Sequence, residues 1–230
     1  MSLGTILGIW AHPDDETYLC GGLMAQAVRA GDRVVCVTAT RGEQGSTDPQ
    51  RWPAGPELAA VRTKEMERAM AALGVTEHIW LDYPDGGCAD VPSEEAVARL
   101  KPLVADVRPD AVLTFGPEGM TGHDDHKTVS SWAVAAAAGT AARVHVATNT
   151  PDWLNRWLPK LEQAGVMMGG EPPCTPVDEL SIHVVLDGDL LEAKFDAITH
   201  QVSQIEPMLA MFGADELRAA LAEESFRLAG

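Results

Sequence analysis

The chain has 230 residues, of which 46% are hydrophobic and 22% are charged, as is ordinary for a soluble globular protein. Its formal net charge of −17 at pH 7 argues against nucleic acids and anionic membrane surfaces as partners, because both attract clustered Lys and Arg. The apolar stretch near the N-terminus is too short for a signal peptide, and the four cysteines include no C-x-x-C pair. We therefore expect a cytoplasmic protein with reduced thiols.

Strand-like and helix-like segments alternate along the chain. This alternation predicts an α/β fold of Rossmann-like type, with a mostly parallel sheet and helices on both of its faces. Strands are predicted at residues 5–10, 33–40, 78–81, 111–115, 142–148 and 180–186. Helices are predicted at residues 16–30, 57–73, 94–107, 126–138, 151–158, 190–201 and 215–228. Because no internal repeat or linker interrupts this pattern, residues 1–230 are expected to form a single domain.

The run A-H-P-D-D-E at residues 11–16 directly follows the first predicted strand. Proline disfavours helical geometry in the residue before it and fits the first turn of a helix. His12 should therefore end the strand, and Asp14 and Asp15 should open the helix. One hypothesis is that His12 and Asp15 bind a metal ion while Asp14 remains free as a base. The alternative is that both aspartates only cap the helix.

A second cluster, G-H-D-D-H-K at residues 122–127, follows the fourth predicted strand. His123 and His126 are three residues apart, so on a helical turn they would lie near one face. Asp125 could orient or charge-stabilise an imidazole. Two histidines and a carboxylate with an open position are typical of catalytic zinc, and no Cys lies near either cluster to suggest a structural site. Taken alone, an H-x-x-H pair can also be structural or incidental.

Together the two clusters resemble the LmbE-like (PIG-L) family of zinc-dependent N-acetylglucosaminyl deacetylases. That family has A-H-P-D-D-E near its N-terminus and H-x-D-H after a later strand. Further similarities are R-G-E at residues 41–43, an R-x-x-E helix containing Arg62 and Glu65, and S-Q at residues 203–204. The resemblance therefore runs from about residue 5 to residue 204.

The resemblance implies that Zn²⁺ binds to His12, Asp15 and His126, and that Asp14 is the general base. The implied reaction removes the N-acetyl group from an N-acetylglucosaminyl conjugate, giving acetate and a free amino sugar. Zinc would lower the pKa of its bound water, and Asp14 would accept the proton of that water. The implied partner is thus a small-molecule amino-sugar conjugate.

The resemblance also implies that His123 is a protonated group that stabilises the oxyanion or assists the leaving group, with Asp125 as its partner. The chain departs from the family at Thr121, where some members have a Tyr that contacts the tetrahedral intermediate. It departs again at Gln201, which occupies the position of a family His. His200, one residue earlier, is therefore assigned no role.

The segment 41–56 is rich in Gly, Pro and charge, and a long loop of this kind inside a compact domain is usually functional. Glu43, Arg62 and Asp85 lie in or near such loops, so we expect them to bind the hydroxyl groups of the substrate. The alternative for Arg62 is a pair with Glu65 or another acidic residue on the surface. Three tryptophans are candidates for stacking on a sugar ring, although the last two are spaced equally well for a core stripe: Trp52, Trp153 and Trp157.

Other functions remain open at this point. One is a zinc amidase that cleaves a larger acyl group from a glycosyl conjugate, and another is a non-catalytic relative that binds carbohydrate. A nucleotide-binding dehydrogenase is disfavoured, because no G-x-G-x-x-G follows the first predicted strand. The oligomeric state is open as well, a homo-oligomer included.

Overall fold

The computed structural model describes residues 3–230. Within this range the chain forms, in order, β1 Ile6–Trp10, α1 Asp15–Ala30, β2 Val34–Thr40, α2 Pro56–Leu73, β3 Glu77–Tyr83, α3 Ser93–Val107, β4 Ala111–Phe115, α4 Asp124–Ala137, β5 Arg143–Ala147, α5 Pro151–Gln163, β6 Ile182–Val185, α6 Gly188–Thr199, α7 Val202–Phe212, α8 Ala214–Leu221 and β7 Glu223–Leu228. Each of the six predicted strands is present, with ends that differ by at most two residues.

The strands form one sheet in the order β3-β2-β1-β4-β5-β7-β6. Strands β1 to β5 run parallel to one another, whereas β7 is antiparallel to both β5 and β6. The predicted α/β fold with a mostly parallel sheet is thus confirmed. Because β1 lies between β2 and β4, the strand order reverses beside β1 and leaves a crevice at the carboxyl ends of β1 and β4. Both strands are completely buried and apolar, as strands in the middle of a parallel sheet usually are.

The prediction of a helix over residues 215–228 is wrong in its second half. Helix α8 ends at Leu221, and Glu223–Leu228 forms strand β7 in the sheet. The helix-like spacing of small and charged residues continues through this segment. The burial of Phe226 in the core and backbone pairing on both sides outweigh that local preference. Residues 202–212, for which no element was predicted, form helix α7.

Helix α1 is interrupted at Cys20, whose φ of −147° and ψ of 19° are not helical. The carboxylate of Glu224 accepts hydrogen bonds from the backbone N–H groups of Gly22 and Leu23, each at 2.8 Å, just after this break. The side chain of Glu224 is fully buried, and it pairs at 2.8 Å with the equally buried ammonium group of Lys194. Strand β7 and helix α6 thereby hold the helix that carries the first motif.

Two apolar clusters stabilise the fold. The larger one packs helices against the sheet and includes fully buried Trp10, Phe115 and Trp132. The smaller one, which we call the second apolar cluster, consists of Trp157, Phe195, Ile198, Ile205, Phe212, Leu217, Ala220 and Leu221. Among residues 3–230, no helix combines the length and apolarity that crossing a membrane requires.

Candidate active site

Both histidine and aspartate motifs lie at the crevice between the carboxyl ends of β1 and β4. His12 follows β1, and Asp15 is the first residue of α1. His123 is the N-terminal cap of α4, and His126 lies in the first turn of that helix. The parallel pairing of β1 with β4 therefore brings together two motifs that are far apart in the sequence.

Three electron-pair donors converge in this crevice. Nδ1 of His12 lies 3.1 Å from Nε2 of His126. Oδ2 of Asp15 lies 3.6 Å from Nδ1 of His12, and Oδ1 of Asp15 lies 3.3 Å from Nε2 of His126. Donors bound tetrahedrally to one zinc ion at about 2.0–2.2 Å are separated by about 3.3 Å. The spacing of the three donors thus fits a single metal ion.

The hydrogen bonds of the two imidazoles fix which nitrogens face this point. Nδ1 of His126 lies 3.0 Å from the carbonyl oxygen of Gly119, so that nitrogen carries the proton and Nε2 has a lone pair. Nε2 of His12 lies 3.2 Å from Asp125 and 3.1 Å from Asp85, so a neutral His12 carries its proton on Nε2 and a lone pair on Nδ1. Two lone pairs at 3.1 Å repel each other unless a proton or a metal ion lies between them. The donor set can therefore hold a metal ion.

The pKa of His12 also indicates that the surrounding carboxylates stabilise positive charge at this position. Burial lowers the pKa of His12, but hydrogen bonds and charges from Asp125, Asp85 and Asp15 outweigh burial and raise it to about 10. Burial likewise raises the pKa of Asp85, whereas the contact with His12 lowers it to about 2. Carboxylates that stabilise a proton on His12 are equally suited to a divalent cation in place of that proton.

Asp14 is the N-terminal cap residue of α1, but its side chain makes no capping hydrogen bond. The alternative that this carboxylate only caps the helix is therefore wrong. Its φ of 143° is rare for a residue with a side chain, and such outliers concentrate at functional sites. The carboxylate lines the cavity and lies 3.1 Å from the guanidinium group of Arg62. Burial raises the pKa of Asp14 to about 6, although the charge of Arg62 opposes this shift.

Arg62 is almost fully buried, at 3% exposure, and does not form the surface pair with Glu65 that was considered. Its guanidinium group donates to the carbonyl oxygens of Pro13 at 2.8 Å and Gly42 at 2.9 Å. Glu65 instead accepts hydrogen bonds from the backbone and hydroxyl groups of Ser203. A Cβ atom at position 42 would lie 2.2 Å from Arg62, so only glycine permits this approach. Arg62 lines the cavity but is engaged with the backbone around Asp14.

The structure corrects the predicted partner of His123. The carboxylate of Asp125 accepts hydrogen bonds from the backbone N–H groups of Gly86 and Cys88 and contacts Nε2 of His12. Only the backbone N–H group of Asp125 reaches His123, and it donates to Nδ1 at 3.1 Å. Burial, together with the charge of His12, lowers the pKa of His123. The neutral imidazole is thus favoured over the protonated form that the family resemblance implied.

Glu43 and Asp85 lie together where two loops meet. Oε1 of Glu43 accepts a hydrogen bond from the backbone N–H group of Asp85 at 2.9 Å. The carboxylate of Asp85 contacts His12 and accepts a hydrogen bond from the backbone N–H group of Gln44 at 2.7 Å. Asp85 and Gln44 line the cavity, whereas Glu43 does not and instead positions Asp85.

Two residues to which the sequence pattern assigned no role support Asp14, Glu16 directly and Gln201 through Glu16. Glu16 is fully buried, and Oε2 accepts a hydrogen bond from the backbone N–H group of Asp14 at 3.2 Å. Gln201 donates to Oε1 of Glu16 at 3.3 Å. Burial raises the pKa of Glu16 to about 7. The motif contained Glu16, and Gln201 stood at the position of a family histidine, but only the fold shows that the two residues meet.

The cavity above these groups has a volume of about 790 Å³. His12, Asp14 and His123 line one part of it, and Trp153 and Trp157 line another. Trp52, the third candidate for stacking on a sugar, is not part of this lining and lies under the guanidinium group of Arg51.

Comparison with known proteins identifies the family of this chain. The family model for PIG-L, GlcNAc-PI de-N-acetylase, matches residues 7–137. A 1D-myo-inositol 2-acetamido-2-deoxy-alpha-D-glucopyranoside deacetylase from Kineococcus radiotolerans is 32% identical, over 87% of this chain and 68% of its own length. The corresponding deacetylase from Saccharomonospora viridis is 31% identical, over 87% of this chain and 85% of its own.

Solved structures with this fold include N,N'-diacetylchitobiose deacetylase from Pyrococcus horikoshii. It is 25% identical, with a TM-score of 0.64 over 98% of this chain and 83% of its own. The family model covers more than half of the chain, and the relatives exceed 30% identity over most of it. The chain therefore belongs to the PIG-L family of de-N-acetylases.

Proposed function

We propose that the protein is a zinc-dependent deacetylase that removes the N-acetyl group from an N-acetylglucosaminyl conjugate, giving acetate and a free amino sugar. The observation that carries this proposal is the juxtaposition of two kinds of group. The three proposed metal-ligand groups, on His12, Asp15 and His126, lie close together. The carboxylate of Asp14 lies beside them but is neither a proposed metal ligand nor a helix cap. A site that only bound a metal ion would have no use for that carboxylate.

Zn²⁺ would be held by His12, Asp15 and His126, because two imidazoles and a carboxylate with an open position form the donor set of catalytic zinc. When bound, the ion would act as a Lewis acid on the amide carbonyl group and would acidify water. Asp125 and Asp85 would keep His12 oriented through its other nitrogen, and the carbonyl group of Gly119 would do the same for His126.

Asp14 would act as the general base and then as an acid. Its carboxylate accepts a proton from the attacking water molecule and delivers it to the departing amine. A pKa near 6 suits both steps, because the group is mostly deprotonated at neutral pH yet basic enough to accept a proton. Arg62 and Glu16 would act as positioning residues, since they hold the carboxylate and the backbone of Asp14.

His123 would donate a hydrogen bond to the oxyanion as a neutral imidazole. Its Nδ1 accepts a hydrogen bond from the backbone of Asp125, so Nε2 carries the proton. The ring lines the cavity beside His12, with the two ring centroids 4.7 Å apart. A donor preset at the position where charge develops contributes to catalysis without reorganisation. This role replaces the imidazolium implied by the family resemblance.

The substrate would be a small amino-sugar conjugate, as the names of the relatives suggest. Asp85 and Gln44 would bind sugar hydroxyl groups at the mouth of the site. Arg62 would bind a hydroxyl group through guanidinium N–H groups that its backbone contacts leave unused. We propose cytoplasmic action by the one domain expected for residues 1–230. The four cysteines are free thiols, three of them buried, which fits a reducing compartment.

The experiment that tests this proposal measures amine release from N-acetylglucosamine conjugates with a fluorogenic amine reagent. The panel contains the inositol, malate and oligosaccharide conjugates and the free sugar. Zinc-loaded protein should release amine from at least one of them, and a chelator should abolish the signal. Silence across the panel, with stoichiometric zinc bound, would reject deacetylation of these compounds and favour a different amide substrate.

A further inference from the structure

The cavity extends well beyond the metal-binding residues, into the second apolar cluster. Five of the eight members of that cluster line the cavity wall: Trp157, Phe212, Leu217, Ala220 and Leu221. These residues come from helices α5, α7 and α8, which cover the carboxyl-end side of the molecule beside the site. These five side chains are 1–8% exposed and form the base of the cavity wall, whereas the half-buried Leu154, Leu158 and Met208 face the open volume more fully.

An apolar wall facing an open volume of this size is unfavourable in water. Buried apolar side chains gain stability when they contact each other, and a cavity forfeits those contacts. The total volume of 790 Å³ lies toward the upper end of the range for pockets that enclose drug-sized ligands. It exceeds the requirement of an acetamido sugar alone, so the apolar end has room for a further part of the substrate.

The charges along the cavity limit what that further part can be. Arg62 is the one lysine or arginine among the lining residues of the described chain, 3–230. Its guanidinium group already bonds to Pro13, Gly42 and Asp14. A phosphate or carboxylate on the substrate would find no free cation here, and the formal net charge of −17 would repel it.

The apolar end begins one helical turn from the proposed base. The backbone N–H group of Tyr18 donates to the carbonyl oxygen of Asp14, and the side chain of Tyr18 packs against the second apolar cluster. On the opposite helix the indole N–H group of Trp153 donates to the carbonyl oxygen of Ala220 at 2.9 Å, which fixes the ring at the wall. An apolar group attached to the substrate would thus pass directly from the reacting amide into the cluster.

We propose that this apolar end binds a hydrocarbon group carried by the aglycone of the substrate. The inference builds on the proposed function, because it identifies what the deacetylase site binds besides the sugar, and because the acetyl group removed there is too small to fill the apolar end.

Two substrate series test the proposal and distinguish an aglycone from an acyl group at the apolar end. One series consists of N-acetylglucosamine β-glycosides with methyl, butyl and hexyl aglycones. The other consists of glucosamines carrying N-acetyl, N-butanoyl and N-hexanoyl groups. Each buried methylene should raise kcat/KM by about two- to fourfold. A rise in the first series supports the proposal, whereas a rise confined to the second would overturn it and assign the apolar end to an acyl group longer than acetyl. Equal values along both series would overturn the proposal.

Binding of alkyl glucosides that contain no amide keeps this test independent of turnover. Their Kd, followed by tryptophan fluorescence, should fall from methyl to hexyl whether or not the protein deacetylates anything. A constant Kd would reject the apolar site even if deacetylation is found. Absence of amine release together with a falling Kd would reject the proposed reaction and retain the site.

A matched pair of variants on helix α7 locates the effect. Met208 lines the cavity and packs against the second apolar cluster, whereas Met211 lies on the same helix, is 41% exposed and does not line it. Met208→Gln should lower the hexyl-to-methyl ratio of kcat/KM by at least threefold and should raise the corresponding ratio of Kd by the same factor. Met211→Gln should leave both ratios at their wild-type values. The same ratio in both variants and the wild type would place the hydrocarbon chain elsewhere.

Discussion

Arg62 and Asp14 form a buried ion pair in which Nη2 lies 3.1 Å from Oδ2. The same guanidinium nitrogen donates to the carbonyl oxygen of Pro13, so one side chain restrains both the carboxylate and the peptide bond that precedes it. The φ of 143° at Asp14 costs stability, of the order of 1–3 kcal/mol for such a conformation, and persists only where neighbours enforce it. We infer that the fold accepts this cost to hold the carboxylate away from the helix terminus and toward the cavity.

Replacing Asp14 by Asn should lower kcat by about 10²–10⁴-fold, the usual contribution of a general base. Metal content should not change, because the proposed ligands are other residues. Amine release and metal stoichiometry are measured on the same preparation. Asp124→Asn is the matched control, since the side chain of Asp124 is 84% exposed on α4. If the Asp14 variant turns over at the wild-type rate, Asp14 has no role in the chemistry.

The pH dependence should follow the protonation of Asp14. Burial raises its pKa to about 6, and a base must be deprotonated, so kcat/KM should fall as the pH is lowered through about 6. Arg62→Gln removes the positive charge that lowers this pKa, and the acidic limb should therefore move to higher pH. Arg62→Lys retains a charge and should move the limb less. An acidic limb at the same pH in all three proteins would assign it to another group.

Metal removal should lower thermal stability as well as activity. A ligand that binds only the folded state, present at about 100 times its Kd, adds about 2.7 kcal/mol. In a chain of this size that corresponds to a rise in Tm of about 5–10 °C. Thermal unfolding with and without Zn²⁺ measures the rise. His126→Gln should abolish it, whereas His200→Gln, whose side chain is 41% exposed, should retain it. An equal rise in both variants would place the ion outside the proposed site.

The metal-binding neighbourhood could be predicted because its determinants are local. His12 and Asp15 belong to one motif at the end of an apolar strand, and His126 follows another such strand. Parallel pairing then places both strand ends at the same edge of the sheet. The assignment of these residues as ligands remains a prediction. The structure establishes that their donor atoms meet.

The contacts of Asp125 could not be predicted in the same way. Its carboxylate is directed by N–H groups of Gly86 and Cys88, which lie on a loop after β3. Proximity in the sequence suggested His123 as the partner of Asp125, but the carboxylate of Asp125 contacts His12 instead. Strand β7 escaped prediction for a similar reason. The sequence around Glu224 predicts a solvent-exposed segment, because a carboxylate is normally buried only beside a counter-charge. The counter-charge here is Lys194, which lies far away in the sequence.

This buried pair should contribute strongly to stability. Lys194→Met leaves the carboxylate of Glu224 buried without its counter-charge and should lower the free energy of unfolding by about 3–5 kcal/mol. Urea denaturation followed by circular dichroism measures the change. Arg227→Met is a suitable control, because the Arg227 side chain is 27% exposed and its pair with Glu118 is worth at most about 1 kcal/mol.

The double variant Lys194→Met, Glu224→Gln separates the charge pair from the hydrogen bonds to α1. It removes both charges, while the Gln carbonyl oxygen can still accept from one of the N–H groups of Gly22 and Leu23. The loss of stability in the double variant should therefore be smaller than the sum of the two single losses, by about 1–3 kcal/mol. Strictly additive losses would mean that Lys194 does not stabilise Glu224. Glu224 would then act only by satisfying the N–H groups that the break at Cys20 exposes.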